Sequence, residues 1–296
     1  MRRTRKPPAE PPSSDPSDGE VANTSRWRRA LAPVTEELER ASWVARWVVE
    51  APSRWLGRRS TVGQDLTGTT DGLSYLRHLA RGNRIRRQVS FENLDPDKPP
   101  VLLIHGFLGT RGSMYLLEHR LVEDGFVVVS FNIGTLNVRD IRRSAFMIHR
   151  KIERILAQTP FQKIDIVGHS MGALASRYFV KFLGGDRVVR NFVSITSANH
   201  GTVWGNPFSP VCVVRDQAIG SLFLTLLNAD DETPGAGVRY AAIRGVTDIF
   251  VQPSDSGALD GAWNVTVGLD HVEVLLYPSS FELVQQALSG GGANLN

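Results

Sequence analysis

A serine with glycines two positions to either side, in Gly168-His169-Ser170-Met171-Gly172, is the clearest place in this sequence for chemistry. A serine hydroxyl is a weak nucleophile. It becomes a strong one when an imidazole takes its proton and a carboxylate holds that imidazole in place. The chemistry in question is acyl transfer through a covalent intermediate. Ile164, Ile166 and Val167 read as the end of a buried strand, and residues 173–182 as an amphipathic helix that starts at once. A chain that leaves a strand and enters a helix so quickly must turn sharply at Ser170. A Cβ at position 168 or 172 would collide across such a turn.

The partners of a serine on such an elbow follow it in chain order, acid before histidine. Of seven histidines only His200 and His271 come after Ser170. His271 lies in the loop Leu269-Asp270-His271, just beyond a short predicted strand at 265–267, where a base can hang over a sheet edge. His200 follows a strand directly and precedes any acid-bearing turn, so it reads as a loop histidine shaping the pocket. For the acid, the strand 240–244 ends in Gly245-Val246-Thr247-Asp248, which puts Asp248 one short turn past a strand's C-terminal end. Asp248 leads, with Asp255, Asp260 and Asp270 as the other candidates.

A tetrahedral intermediate also needs backbone donors for its oxyanion. One is expected from the N–H of Met171, the residue after the nucleophile. Phe107, in the glycine-flanked loop His105-Gly106-Phe107-Leu108-Gly109, is the candidate for the second. His105, at the end of a buried strand, is expected to bond loop carbonyls and fix the turn rather than to act on substrate.

Alternating elements would position these groups. Residues 101–105 and 126–131 read as strands, 139–157 as a long helix, then come 164–167 and the elbow helix. Strands follow at 191–196, 238–244 and 265–267, with a last helix near 281–288. This alternation implies a mostly parallel sheet with helices on both faces. Segment 202–236 is apolar enough, with Trp204, Phe208 and Leu222 to Leu227, to be a cap over the pocket. Its helix at 217–228 could equally pack on the sheet.

The 296 residues allow one large α/β domain plus an extension. The net charge of +4 sits in residues 1–60, which hold twelve of the 34 Lys/Arg and eight of the 30 Asp/Glu. The rest is balanced, and no basic cluster with interleaved aromatics marks a nucleic-acid groove. The single cysteine, Cys212, excludes an internal disulfide and reads as a small core residue. Residues 1–25 are Pro/Ser-rich with too little apolar surface to fold, and are expected to be disordered. Residues 26–99 read as a helical extension and linker, with a short helix at 71–81 and a strand at 86–91. Within 26–59, Trp27, Trp43, Trp47 and Trp55 stand among arginines. That helix suits either peripheral membrane contact or docking on the catalytic body. No apolar h-region follows the N-terminal arginines and no transmembrane run occurs, so the expected location is cytoplasmic, with or without membrane association.

Four stretches, VLLIHGFLG (101–109), IDIVGHSMG (164–172), TDIFV (247–251) and LDHVEVLLY (269–277), resemble the small bacterial lipases of the α/β-hydrolase superfamily. The resemblance spans roughly residues 100–296. It implies an α/β-hydrolase fold, with Ser170 as nucleophile, Asp248 as acid, His271 as base, and Phe107 and Met171 as oxyanion donors. The activity it implies is hydrolysis of carboxylic esters, acylglycerols included, with no cofactor or metal. The partner would be a lipid or small ester. Two other functions fit the same residues: an acyltransferase, and a non-catalytic hydrolase-fold protein that binds membrane or a partner.

Overall fold

The computed structural model of the chain describes residues 77–79, 82, 91, 94–95, 97–133, 137 and 140–290. The expectations for 1–25, for the helix in 26–59 and for most of 60–99 lie outside the described residues. Of the helix expected at 71–81, residues 77–79 are helical; Phe91, from the strand expected at 86–91, is not in a strand.

Six strands form one parallel sheet: β1 (Val101–Ile104), β2 (Val128–Ser130), β3 (Ile164–His169), β4 (Val189–Ile195), β5 (Arg239–Gly245) and β6 (Trp263–Val267), in the spatial order β2-β1-β3-β4-β5-β6. Successive side chains on a strand point to opposite faces, and the sequence uses both. Leu102, Ile104, Ile164, Ile166, Phe192, Tyr240 and Ala242 point into one core. Val101, Leu103, Val167, Val193, Ile195, Ala241 and Ile243 point into the other. This two-sided burial makes the strands read as continuous apolar runs.

Helices cover each face. On the first lie α2 (Ile141–Ala157), α3 (Met171–Phe182), α4 (Cys212–Asp216) and α5 (Leu222–Asn228); on the second, α1 (Tyr115–Glu123) and α6 (Pro278–Leu288). The long helix α2 buries Ile141, Ala145, Ile148, Ile152 and Ile155 at three- and four-residue spacing. Asp140 starts it by accepting the Arg142 N–H at 2.7 Å. Helix α1 was not among the sequence expectations; only Leu117, Glu118 and Leu121 of its nine residues are buried, too thin a stripe to stand out as a period.

Two expectations need correction. Cys212 opens α4 half-exposed and is not a core residue. The helix placed at 217–228 is shorter: only 222–228, α5, is helical, starting after Ser221, whose hydroxyl accepts the Leu224 N–H at 3.2 Å, while 217–221 turn away from α4. α5 packs Phe223, Leu224 and Leu227 into the first core while Leu222 and Leu226 face outward. The segment is therefore docked on one side and apolar on the other.

The register aligns the strand ends. Ile104 lies beside Gly168, Gly168 beside Ser194, and Ser194 beside Ala242. The loops that leave β1, β3, β4 and β5 therefore emerge together along the C-terminal edge, where parallel sheets place their sites.

Candidate active site

Ser170 joins β3 to α3 with φ 54° and ψ −129°, a combination that costs a non-glycine residue about 1–3 kcal/mol. The surrounding backbone holds it there. Its N–H donates to the Ile195 carbonyl at 2.9 Å and its own carbonyl accepts the Ala173 N–H at 3.0 Å. A serine ahead of a helix ordinarily turns its hydroxyl back onto the first-turn amides. Ser170 makes no such capping bond, so its Oγ is left for another partner.

The flanking glycines are needed for two different reasons. A Cβ at Gly168 would stand 2.6 Å from Ala173 Cα, the collision across the turn expected from the sequence. At Gly172 it would stand 2.5 Å from the His105 carbonyl oxygen, so this glycine lets α3 sit against the end of β1. A third glycine matters as much. A Cβ at Gly106 would lie 2.8 Å from Ser170 Cβ, so the loop after β1 passes directly over the serine.

The structure joins Asp248 to His271: His271 Nδ1 and Asp248 Oδ2 are 2.7 Å apart, and both residues are buried. The carboxylate's other oxygen accepts the N–H groups of Phe250 at 2.8 Å and Val251 at 3.0 Å. Burial raises the Asp248 pKa, but the His271 charge and these hydrogen bonds outweigh it and hold the carboxyl below its ordinary range. An ionised acceptor on Nδ1 requires that nitrogen to carry the proton, which turns the Nε2 lone pair outward as the basic one.

The other candidates go elsewhere. Asp255 pairs with Arg244 at 3.3 Å, its side chain 94% exposed. Asp270 accepts the Val272 and Glu273 N–H groups, closing its own turn. Asp260 is exposed, and its N–H donates to Glu232. His200 pairs with Glu232 at 2.7 Å. His105 bonds the Gly106 carbonyl through Nδ1 at 3.0 Å, the turn-fixing contact expected of it.

A residue that sequence reasoning passed over is His169. Its Nε2–H donates to the His271 carbonyl at 2.9 Å, and the two rings lie 4.8 Å apart. Thr196 Oγ1 donates to the same carbonyl at 3.4 Å. Burial, aided by the His271 charge, lowers the His169 pKa to about 3, so the ring is a neutral donor at ordinary pH. The residue next to Ser170 thus ties β3 to the His271 loop. Its adjacency to the serine was the one signal in the sequence. Ser170 Oγ and His271 share no hydrogen bond among the described residues; in such sites that bond often tightens only in the substrate complex.

Phe107 and Met171 flank the serine. Neither N–H has a hydrogen-bond partner among the described residues. Met171 N–H is one of the first-turn amides that a helix leaves unpaired. Phe107 is the second residue of a turn closed by the Gly109 N–H on the Gly106 carbonyl at 3.2 Å. Among the described residues no group of three His, Cys, Asp or Glu is arranged to hold a metal ion, and no helix is long and apolar enough to cross a membrane.

Structurally, the chain is similar to Aspergillus fumigatus lipase B, with a TM-score of 0.61 at 22% identity, covering 72% of this chain and 57% of that one. It is similar too to the mature form of the Bacillus licheniformis lipase BlEst2, with a TM-score of 0.56 at 15% identity over 67% of this chain and 95% of that one. At these identities the likeness concerns the fold, which is that of the α/β-hydrolases. A curated relative, the triacylglycerol lipase of Pseudomonas fragi, is 26% identical over 108 residues, or 35% of this chain. The matched stretch spans only 36% of that relative's length. The family model for lipase (class 2) matches residues 98–258, more than half of the chain. The chain belongs to the lipase (class 2) family.

Proposed function

We propose that the protein is a carboxylic ester hydrolase acting on esters of apolar acyl chains, with Ser170 as nucleophile, His271 as general base, Asp248 as its orienting acid, and Phe107 and Met171 N–H as oxyanion donors. The observation that carries this reading is the 2.7 Å contact of His271 Nδ1 with a buried Asp248 carboxylate, on the sheet edge where Ser170 is held at φ 54°.

The steps follow from that geometry. Ser170 Oγ attacks the ester carbonyl carbon and its proton passes to His271 Nε2. The carbonyl π pair moves onto oxygen, where the two N–H groups receive it. Collapse expels the alkoxide, which takes the proton from His271 and leaves as the alcohol, with the acyl group on Ser170. Water, deprotonated by His271, attacks that acyl group; the acid departs and Ser170 regains its proton. Throughout, Asp248 stabilises the imidazolium without itself accepting the proton.

An apolar substrate is favoured by the exposed apolar side chains of the segment 202–236. Trp204, Phe208 and Leu222 are exposed, Phe208 by 91%, and Trp204 Nε1 donates to the Ile249 carbonyl at 2.6 Å, which fastens this apolar segment to the acid loop. Contact of residues 26–59 with an anionic membrane is part of the same proposal, supported by the tryptophans and arginines of that stretch. Co-sedimentation of the full chain with anionic liposomes checks it, and no sedimentation counts against it.

The test is turnover of p-nitrophenyl esters of increasing acyl length by the full chain. Release of nitrophenol that rises from acetate to longer acyl groups is expected; no turnover of any ester contradicts the proposal. Added alcohol in the same assay separates the acyltransferase reading, which would yield a new ester in place of free acid.

A further inference from the structure

If Ser170 is acylated as proposed, the Phe107 N–H has to be aimed before substrate arrives, and the peptide plane that carries it is unusually restrained. The Gly106–Phe107 peptide is trans, so its C=O and N–H point in opposite directions. Whatever fixes the carbonyl aims the amide. Three donors converge on the Gly106 carbonyl: Gly109 N–H at 3.2 Å, His105 Nδ1 at 3.0 Å and Asn137 Nδ2 at 3.3 Å. The Asn137 amide nitrogen also donates to the His105 carbonyl at 3.3 Å, bridging two successive carbonyls of the loop.

Asn137 is suited to this by burial, backbone and hydrogen bonding. It is completely buried, and its φ of 46° lies in the left-handed region, which Asn tolerates better than most residues. Both partners on its nitrogen are carbonyls, which only accept, so the amide orientation is set by chemistry. Its oxygen is engaged as well, accepting the Ser144 hydroxyl at 3.2 Å from the first turn of α2. The chain Ser144, Asn137, Gly106 thus connects a long core helix to the loop over the serine. Donors on a peptide oxygen draw electron density towards it and make the opposite N–H a stronger donor.

We propose that Asn137 is a positioning residue for the oxyanion hole, holding the Gly106–Phe107 peptide so that the Phe107 N–H points at the developing oxyanion. The inference rests on the ester-hydrolase reading, and adds a residue that touches neither substrate nor the Ser170–His271–Asp248 group.

Asn137→Gly is the suitable variant, because glycine accepts the left-handed backbone and only the carboxamide is lost. The assay is p-nitrophenyl butyrate hydrolysis, with kcat expressed per site titrated by a fluorophosphonate. Expected is a fall in kcat of about tenfold to a hundredfold, below the roughly 10²–10³ typical of deleting an oxyanion donor outright. KM should stay within about twofold, and affinity for an alkylboronic acid, which mimics the tetrahedral state, should fall in step with kcat. Ser144→Ala, which frees the Asn137 oxygen, should show the same pattern with a smaller fall. It serves as the test if Asn137→Gly does not fold. A purely structural role would lower the number of titratable sites and leave kcat per site and boronate affinity at the wild-type level; that result overturns the proposal. A wild-type protein without turnover removes the underlying hydrolase reading, and this inference with it.

Discussion

The two edges of the one sheet handle difficult backbone in opposite ways. Where the chain enters strands, positive φ falls mostly on glycine: Gly125 ahead of β2, Gly184 ahead of β4, Gly235 ahead of β5 and Gly261 ahead of β6, with Asp230, between α5 and β5, the exception. Nearest the strand ends it leaves, positive φ falls on residues with side chains: Leu108 after β1, Ser170 after β3 and Thr196 after β4, with Gly201 further along the β4 loop. Glycine makes such turns without strain, whereas each of the others costs of the order of 1–3 kcal/mol. Of the five non-glycine residues with positive φ among the described residues, Leu108, Ser170 and Thr196 lie just past strand ends on the edge that carries Ser170, Asp248 and His271.

The carboxylates repeat the contrast. Asp165, at the start of β3, is buried and bound by Arg190 through Nε at 3.0 Å and Nη2 at 2.6 Å, with the Asn191 N–H at 3.0 Å. Asp248, at the other edge, is buried and bound to His271 with two backbone N–H groups. Both are satisfied; their partners differ. A guanidinium does not lose its proton in a protein, so the Asp165 pair is static. An imidazole can take up a proton on its second nitrogen, which is what the proposed mechanism asks of the Asp248 pair.

This difference can be broken in measurable ways. The largest effect is expected from Asp248→Asn, which preserves shape but withdraws the charge that sets the His271 tautomer. It should lower kcat by about 10⁴ while the protein stays folded by circular dichroism; activity within tenfold of wild type would remove Asp248 from the role. Asp165→Ala should do the reverse. Removing one member of a buried pair costs about 3 kcal/mol or more, read as a lower denaturant midpoint, with kcat per titrated site unchanged. A loss of kcat per site would mean the two edges are not separate in function. The smallest effect tests the strain itself. Ser170→Gly should be inactive yet more stable than wild type by about 1 kcal/mol, since glycine accepts the Ser170 backbone angles. Lower stability would show that the turn stores no strain.

What the sequence revealed was mostly local. The elbow was legible because its signals lie within twenty residues: an apolar strand, glycines at 168 and 172, and a helix beginning at 171. The strands were legible because both faces are buried, although β6, with half-buried and exposed residues alternating, was recognised only over its last three positions. Asp248 could be favoured from its place after β5, but setting Asp255, Asp260 and Asp270 aside took coordinates, because each finds its partners through its own loop. His169 and Asn137 were out of reach for a different reason. Their roles are contacts with backbone carbonyls at His271 and Gly106, 102 and 31 residues away along the chain, and a carbonyl carries no residue identity. The apolar segment around 202–236 was ambiguous because an amphipathic helix announces two faces without saying what each meets. In the fold α5 turns one face to the core and leaves Leu222 72% exposed on the other.

The central claim is that Ser170 is an activated nucleophile, and a fluorophosphonate tests it most directly because it reacts only with a serine whose proton can be taken and whose oxyanion is received. The full chain should become labelled at one residue, with peptide mapping placing the adduct on Ser170, and Ser170→Ala should take up none. An adduct on any other residue, or equal labelling of Ser170→Ala, would contradict the account.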